Sequence, residues 1–267
     1  MTNTSNTNPI ASFKDLLAKS SIQDRLHELV GEGKNIFTST LIQVVSNNTA
    51  LANVDHNTII GAALTSASLK LSINPNLGLA YIIPYKNKAQ FQMGYKGFIQ
   101  LAMRTNQVQK ITASSLTNSQ FKSFDSIKEE LVYDLSDTTQ KEVGYYVGYF
   151  KLINGFEKVL VLTKEEMVEH ALKYSKSFKN KEATTNVWRD DFEAMAKKTV
   201  LKHSLSKYAP LSIDLQTAVQ KDQAVLTPDG DVEEYIDNPN SNLNNEKQVN
   251  KISANIDTTA FNIEKGN

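Results

Sequence analysis

The stretch Asn74 to Arg104, NPNLGLAYIIPYKNKAQFQMGYKGFIQLAMR, leaves its backbone few choices. Leu79–Ile83 is a short apolar, β-favouring run, and Pro84 stands at its end, where a missing ladder donor does least harm. Lys86-Asn87-Lys88 supplies a turn, and Phe91 and Met93 alternate with Gln90 and Gln92 on the return strand. Gly94 and Gly97 bracket Tyr95-Lys96, after which Phe98, Ile99, Leu101 and Ala102 take up helical spacing. The stretch reads as strand, turn, strand and glycine-flanked helix entry, and the rest of the chain has to pack around that unit.

Charge is distributed unevenly. From His56 through Phe124 there is no Asp or Glu, although the 267-residue chain carries 29 of them. Lys70, Lys86, Lys88, Lys96, Arg104, Lys110 and Lys122 all fall within that run. A surface of one sign is what a polyanion needs. The plainer alternative is an ordinary solvated basic face. The formal net charge of zero hides a second asymmetry: residues 222–267 hold nine acids and three bases, a net −6, so the remainder is +6. A basic body with an acidic tail points toward nucleic acid.

Several classes are set aside by what the chain lacks. There are no cysteines, so disulfides and thiolate metal sites are excluded. No apolar run approaches the ~18–20 residues that cross a bilayer, and MTNTSNTNPI has no basic segment followed by an apolar core. The expectation is a cytoplasmic protein without a membrane partner. No GxxxxGK[ST] phosphate loop occurs, and Gly94-Tyr-Lys-Gly97 is too short to serve as one. His27, His56, His170 and His203 lack metal-ligand spacing, and none accompanies a GxSxG elbow. Asp190 and Asp191 diverge by about 100° on a helix, which suits them to stabilising a helix N-terminus rather than to chelating one ion for a nuclease. The expectation is a protein that is not an enzyme and has no cofactor or metal.

Elsewhere, periodicity predicts a helix over Ser12–Val30 stopped by Gly31 and Gly33, a second over Asn35–Val45, and a third capped by Asp55. This region reads as scaffold or protomer-contact surface. Val108–Thr117 reads as a strand with Ile111 and Ala113 inward and Lys110, Thr112 and Ser114 on the other face. Leu131–Leu135 is a weaker strand. Gly144–Val161 is a hairpin whose Asn154-Gly155 signals a type I′ turn. Its stripe of Tyr145, Val147, Tyr149 and Lys151 reads as half-buried sheet packing in preference to a base-stacking platform. Thr163-Lys-Glu-Glu166 is a capping box opening a helix to about Tyr174. Trp188, Phe192, Met195, Ala196 and Thr199 form one helical stripe, while Lys198 and Lys202 share a face in a second carboxylate-free run, Ala194–Ile213. After Gln220 the sequence turns polar and is read as a mobile appendage or small helical module.

The expected fold class is α+β: a small antiparallel or mixed sheet with helices packed on it, an N-terminal helical region and a partly disordered or small helical C-terminal tail. The expected organisation is an N-terminal arm over residues 1–35, a core over 36–220 and an acidic tail over 221–267.

Three blocks carry a resemblance: Asn74–Tyr85, Phe91–Arg104 (FQMGYKGFIQLAMR), and Trp188–Lys207 (WRDDFEAMAKKTVLKHSLSK) followed by Pro210-Leu-Ser. In content and order they resemble the RecT family of phage single-strand annealing proteins, related more distantly to the lambda Beta protein. The likeness runs from about Phe37 to Ala218. Residues 119–142 depart from it, with Gln120 where the family often has an acid before a Phe. The resemblance implies ATP-independent annealing of complementary DNA strands in a bacterial cytoplasm, after a nuclease has resected one strand. It implies a homo-oligomer, ring or helical filament, that lines single-stranded DNA and the annealed duplex intermediate in a basic groove. It also implies a tail that contacts the host single-strand binding protein or a phage exonuclease. Carried onto matching positions, the groove would use Arg104, Lys110, Lys198 and Lys202, then Lys88, Lys122 and Lys151. Thr112 and Ser114 would donate to phosphate oxygens beside Lys110, with Tyr81 and Phe192 as weaker contacts. Two other readings stand beside this one: a passive coat on single strands that does not promote pairing, and a structural phage protein whose basic face is incidental.

Overall fold

The computed structural model describes residues 8–179 and 186–235. The single helix expected over Ser12–Val30 is two, α1 (Pro9–Leu17) and α2 (Ser20–Val30). On one straight helix Phe13 and Leu26 would point about 140° apart, at 100° per residue. The break at Ala18–Lys19 lets both bury completely, and Gln23 Nε2 donates to the Leu17 carbonyl at 2.8 Å, satisfying an acceptor freed at the end of α1. α3 (Lys34–Ser46) follows, then α4 (Thr49–Ala52), capped by Asn48 through the amides of Ala50 and Leu51. α5 (His56–Ser68) starts where expected, with the Asp55 carboxylate accepting from Asn57 N at 2.9 Å. Ten consecutive residues of α5, Thr58–Ala67, are buried. A helix hidden on every side belongs at the centre of a core, and four of those ten are Gly or Ala, which lets neighbouring backbone come close.

The organising stretch folds as read. β1 (Ala80–Tyr85) and β2 (Lys88–Met93) pair antiparallel about Lys86-Asn87, with Lys86 at φ 52°. Pro84 lies on β1, an edge strand. α6 (Tyr95–Arg104) begins against the chain entering β1: a Cβ on Gly97 would fall 2.1 Å from the Leu79 carbonyl oxygen, so only glycine fits.

The second half is built on β3 (Val108–Thr117), β4 (Phe121–Asp125), β5 (Glu130–Tyr133), β6 (Val143–Leu152) and β7 (Glu157–Thr163). β3, β6 and β7 form one antiparallel sheet, while β4 and β5 make a separate hairpin. The turn between β6 and β7 differs from expectation. Only Gly155 takes positive φ (92°), Gly155 N donates to the Leu152 carbonyl at 3.1 Å, and Leu152 N donates to Phe156 O at 2.7 Å. That is a three-residue loop with a glycine bulge, not a two-residue type I′ turn. α7 (Lys164–Tyr174) opens on a complete capping box: Thr163 N donates to Glu166 Oε2 at 2.7 Å, and Glu166 N donates to Thr163 Oγ1 at 3.1 Å.

α8 (Lys176–Lys179), α9 (Val187–Asp190) and α10 (Phe192–Tyr208) come next. The stripe from Trp188 to Thr199 therefore spans two helices, broken at Asp191, whose carboxylate caps α10 through Ala194 N at 3.1 Å. α10 crosses the β3–β6–β7 sheet and also packs on α6. Its Leu205 belongs to the core of the N-terminal half, and its Met195, Ala196 and Val200 join Tyr146, Met167 and Trp188 in a second core. Because α10 is wedged between two cores, Lys198 is buried as well.

α11 (Ile213–Lys221) leads into β8 (Ala224–Leu226) and β9 (Val232–Tyr235). These strands extend the first sheet in the order β1-β2-β8-β9. The reading of the chain past Gln220 as an appendage or helical module is thus corrected as far as Tyr235: Ala224, Val225 and Leu226 are fully buried, and Asp222 N–H and carboxylate are both engaged with the body. β8 also touches α5, where a Cβ on Gly61 would meet the Leu226 carbonyl oxygen at 2.2 Å. Residues 236–267, most of the expected tail, lie outside the described residues. The fold class is α+β, with small antiparallel sheets and helices packed on them.

Candidate nucleic-acid interface

Among the described residues, a cavity of about 270 Å³ lined by two lysines and two histidines lies between α7, α9 and α10. Lys198 and Lys202, one turn apart on α10, both reach Asp222 from the segment ahead of β8. Lys198 Nζ lies 2.8 Å from Asp222 Oδ1, and Lys202 Nζ lies 2.8 Å from Oδ2. Asp222 also accepts from Met93 N at 3.0 Å, which fixes the helix to β2. Burial pushes the Asp222 carboxyl up, but the two ammonium groups outweigh it and hold the pKa below the usual range. Two cations on one carboxylate leave an excess positive charge, with Lys198 enclosed and Lys202 partly open to the cavity.

His170 and His203 line the same cavity, their ring centroids 5.2 Å apart and nearly perpendicular. Burial, then His203 and Lys202, push His170 down to about 4. Burial, followed by Lys207 and Lys202, also lowers His203. Sequence reasoning passed over both because they stand 33 positions apart; the only local signal was that His203 falls within the carboxylate-free run of α10. A smaller cavity of about 170 Å³ adjoins, sharing Met195 and Lys198 as lining and bringing in Tyr81, Tyr95 and Gly94. Burial raises the Tyr81 hydroxyl pKa, with further contributions from Asp191 and Tyr95. Phe192 sits apart, tilted against Tyr146 and edge-on to Trp188 as part of the second core.

The other expected contacts are dispersed. Arg104 donates to the Leu69 and Lys70 carbonyls at 2.6 and 2.8 Å, satisfying acceptors left at the end of α5. Lys88 pairs with Glu233 of β9 at 2.9 Å, and Lys122 with Asp137 at 2.9 Å. Lys151 lies 3.4 Å from Glu157. Lys110 is exposed and stands opposite Lys151 in the β3–β6 register. Thr112 and Ser114 share its outward face, as expected, but they line a groove of about 780 Å³ under the β4–β5 hairpin. That groove also holds Glu129, Glu130 and Glu157, so it is not a surface of one sign. The carboxylate-free run is thus partly neutralised by acids from distant segments, which a linear count of charge cannot reveal. Acids past Gln220 also pair with cations outside that run, Asp222 with Lys198 and Lys202 and Asp229 with Arg25 at 3.1 Å.

Among the described residues there is no group of three or more His, Asp or Glu placed to hold a metal, and no helix is long and apolar enough to cross a membrane.

The model of the RecT family matches residues 35–239, more than three quarters of the chain. The chain belongs to the RecT family. It is 37% identical over 237 residues to the Bacillus subtilis (strain 168) protein YqaK, itself described as uncharacterised, covering 87% of this chain and 81% of that one. It is 30% identical over 183 residues to Protein RecT of Escherichia coli (strain K12), covering 65% of each. Membership in the RecT family implies a role in recombination by single-strand annealing, and with it binding of single-stranded DNA.

Proposed function

We propose that this RecT-family chain anneals complementary single strands without ATP or any bond-breaking step, with α10 as the centre of a DNA groove built up in a homo-oligomer. The reading rests on the α10 cavity, where two lysines share one carboxylate and two imidazoles face them. Annealing requires that phosphates be screened so that two polyanions can approach, while bases stay free to pair. Lys202 supplies screening directly, and Lys198 sustains the local positive potential from beneath. Lys110 and Lys151 extend the positive surface along the sheet end, and Lys88 and Lys122 become available where phosphate displaces an exposed carboxylate. Tyr81, which lines the adjoining cavity, would meet a base or sugar. Arg104 keeps donors beyond the two it gives to α5. Phe192 contributes through packing.

The test is a fluorescence-quench assay with two complementary oligonucleotides, without nucleotide, over a salt series. Acceleration above the protein-free rate that fades with salt supports annealing. Binding that slows pairing would replace this reading with a passive coat, and no binding at low salt would refute both. Residues 236–267 are proposed to contact a partner, either host single-strand binding protein or an exonuclease, on the strength of their polar sequence with scattered apolar residues.

A further inference from the structure

We propose that the cavity between α7, α9 and α10 takes one phosphate group, held by His170, His203 and Lys202, and that filling it draws a proton onto the histidine pair. This rests on the single-stranded DNA reading above and names a subsite and a regulation within it. The geometry supplies three elements. The imidazoles meet edge to face, centroids 5.2 Å apart, and both line one cavity of about 270 Å³, roomy enough for a tetrahedral anion. Neither ring nitrogen pair has a hydrogen-bond partner among the described residues. Lys202 reaches the same space with one N–H committed to Asp222 and two to spare.

The charges around the pair favour the neutral imidazoles while the cavity is free of anions. From α7, Lys173 stands beside His170, and the Tyr174 ring packs on it at 4.7 Å. From α10, Lys198, Lys202 and Lys207 repel a further proton, and among the described residues the one opposing carboxylate lining the cavity, Asp222, is already shared by two lysines. A phosphate reverses this balance. Its negative charge in the cavity beside the rings favours the imidazolium form, which donates from both nitrogens, so anion and proton bind together. Affinity must then rise as pH falls toward the range where the free pair would titrate on its own.

The experiment measures binding of an unphosphorylated oligothymidine, whose bases do not titrate in this range, by fluorescence anisotropy between pH 8.5 and 6 at fixed ionic strength. Uptake of one proton would tighten wild-type binding by up to about tenfold per pH unit, and the His170→Gln, His203→Gln variant would lose that slope while still binding at pH 8.5. Calorimetry of the wild type in two buffers of different ionisation enthalpy counts the protons directly, so the result does not depend on the variant folding. Inorganic phosphate is titrated alongside: uptake with phosphate alone marks a site for the free anion, and uptake only with the oligonucleotide marks a site for the diester. Wild-type binding with no proton uptake, or an equal slope in the variant, overturns this proposal alone. Absence of oligothymidine binding at every pH overturns the annealing reading with it.

Discussion

Replacing Lys198 with Ala should damage the fold, whereas replacing Lys202 should chiefly damage DNA binding. The sequence places these lysines as equivalents on one helical face, but the structure separates them. Lys198 has a side chain 4% exposed against a carboxylate that is 0% exposed, while the Lys202 side chain is 26% exposed. At 2.8 Å and an effective dielectric near 20, the attraction between unit charges is about 6 kcal/mol. Much of that is offset by desolvation. Removing one member of such a pair leaves the other buried without its partner, at a cost of about 3–5 kcal/mol. Lys202 and Met93 N remain on Asp222, so the lower end, about 3 kcal/mol, is expected. For a chain of this size each kcal/mol lowers Tm by about 2–4 °C, giving a loss of about 6–12 °C for Lys198→Ala. Lys202→Ala removes a partner that water can partly replace, at about 1 kcal/mol, with a Tm loss within about 4 °C. Circular dichroism melts read the first difference and anisotropy with labelled single strands reads the second. The double variant should deviate from additivity, since both lysines act on one carboxylate. A wild-type Tm for Lys198→Ala, or equal losses in the two single variants, would refute the buried triad.

Truncation after Tyr235 should leave the melting transition unchanged, whereas truncation after Gln220 deletes Asp222 and β8 and should abolish cooperative unfolding; loss of folding in both would move the domain boundary into residues 236–267. Gly61→Ala places a methyl group on the Leu226 carbonyl, an overpacking that costs about 1–3 kcal/mol; proteolysis after Lys221 should accelerate, and an unchanged cleavage rate would show that β8 docks elsewhere. Stability should also depend on pH through His170. Its folded pKa, about 4, lies below the unfolded value near 6.5, so its contribution is complete above pH 6.5 and is lost as pH falls toward 4. His170→Gln should flatten the urea midpoint over that window, and a slope identical to wild type would exclude His170 as its source. Asp222, held low by its lysines, loses its contribution only at more acidic pH, so the two effects separate.

The elements set by neighbours in sequence were legible: the β1–β2 hairpin, the Asp55 cap, the Thr163 capping box and the in-out alternation of β3. Each is signalled by a short contiguous stretch, a turn, a cap or an alternation, where propensity and local hydrogen bonding act with little help from the rest of the fold. What could not be read depends on distant partners. β8 is three residues long, and Ala-Val-Leu becomes a strand only because β2 offers an unpaired edge and α5 a glycine. The break between α1 and α2 answers to which residues the core accepts, not to local signals. Asn154-Gly155 favours a turn, but the bulge that forms depends on the register of β6 against β7. At the candidate interface Lys198 and Lys202 were found by spacing, whereas Asp222 and the two histidines were not, because three separate segments meet there.

The same distinction sorts the remaining cations. Lys88, Lys122 and Lys151 keep side chains at least a third exposed while paired with Glu233, Asp137 and Glu157. Ion pairs of that kind are worth about 0–1 kcal/mol, so a phosphate diester, which releases condensed counterions when it is neutralised, can compete for the lysine at little cost. On the annealing reading proposed above, these carboxylates would act as placeholders that keep the surface near neutral until a strand arrives, which would reconcile the zero net charge with a basic groove. Lys198 is excluded from such exchange by its burial, and Arg104 is anchored to α5 by two carbonyls. A lysine's partner matters less than its exposure: on that proposal the open pairs would exchange with DNA, while the closed one holds α10 to the sheet that carries it.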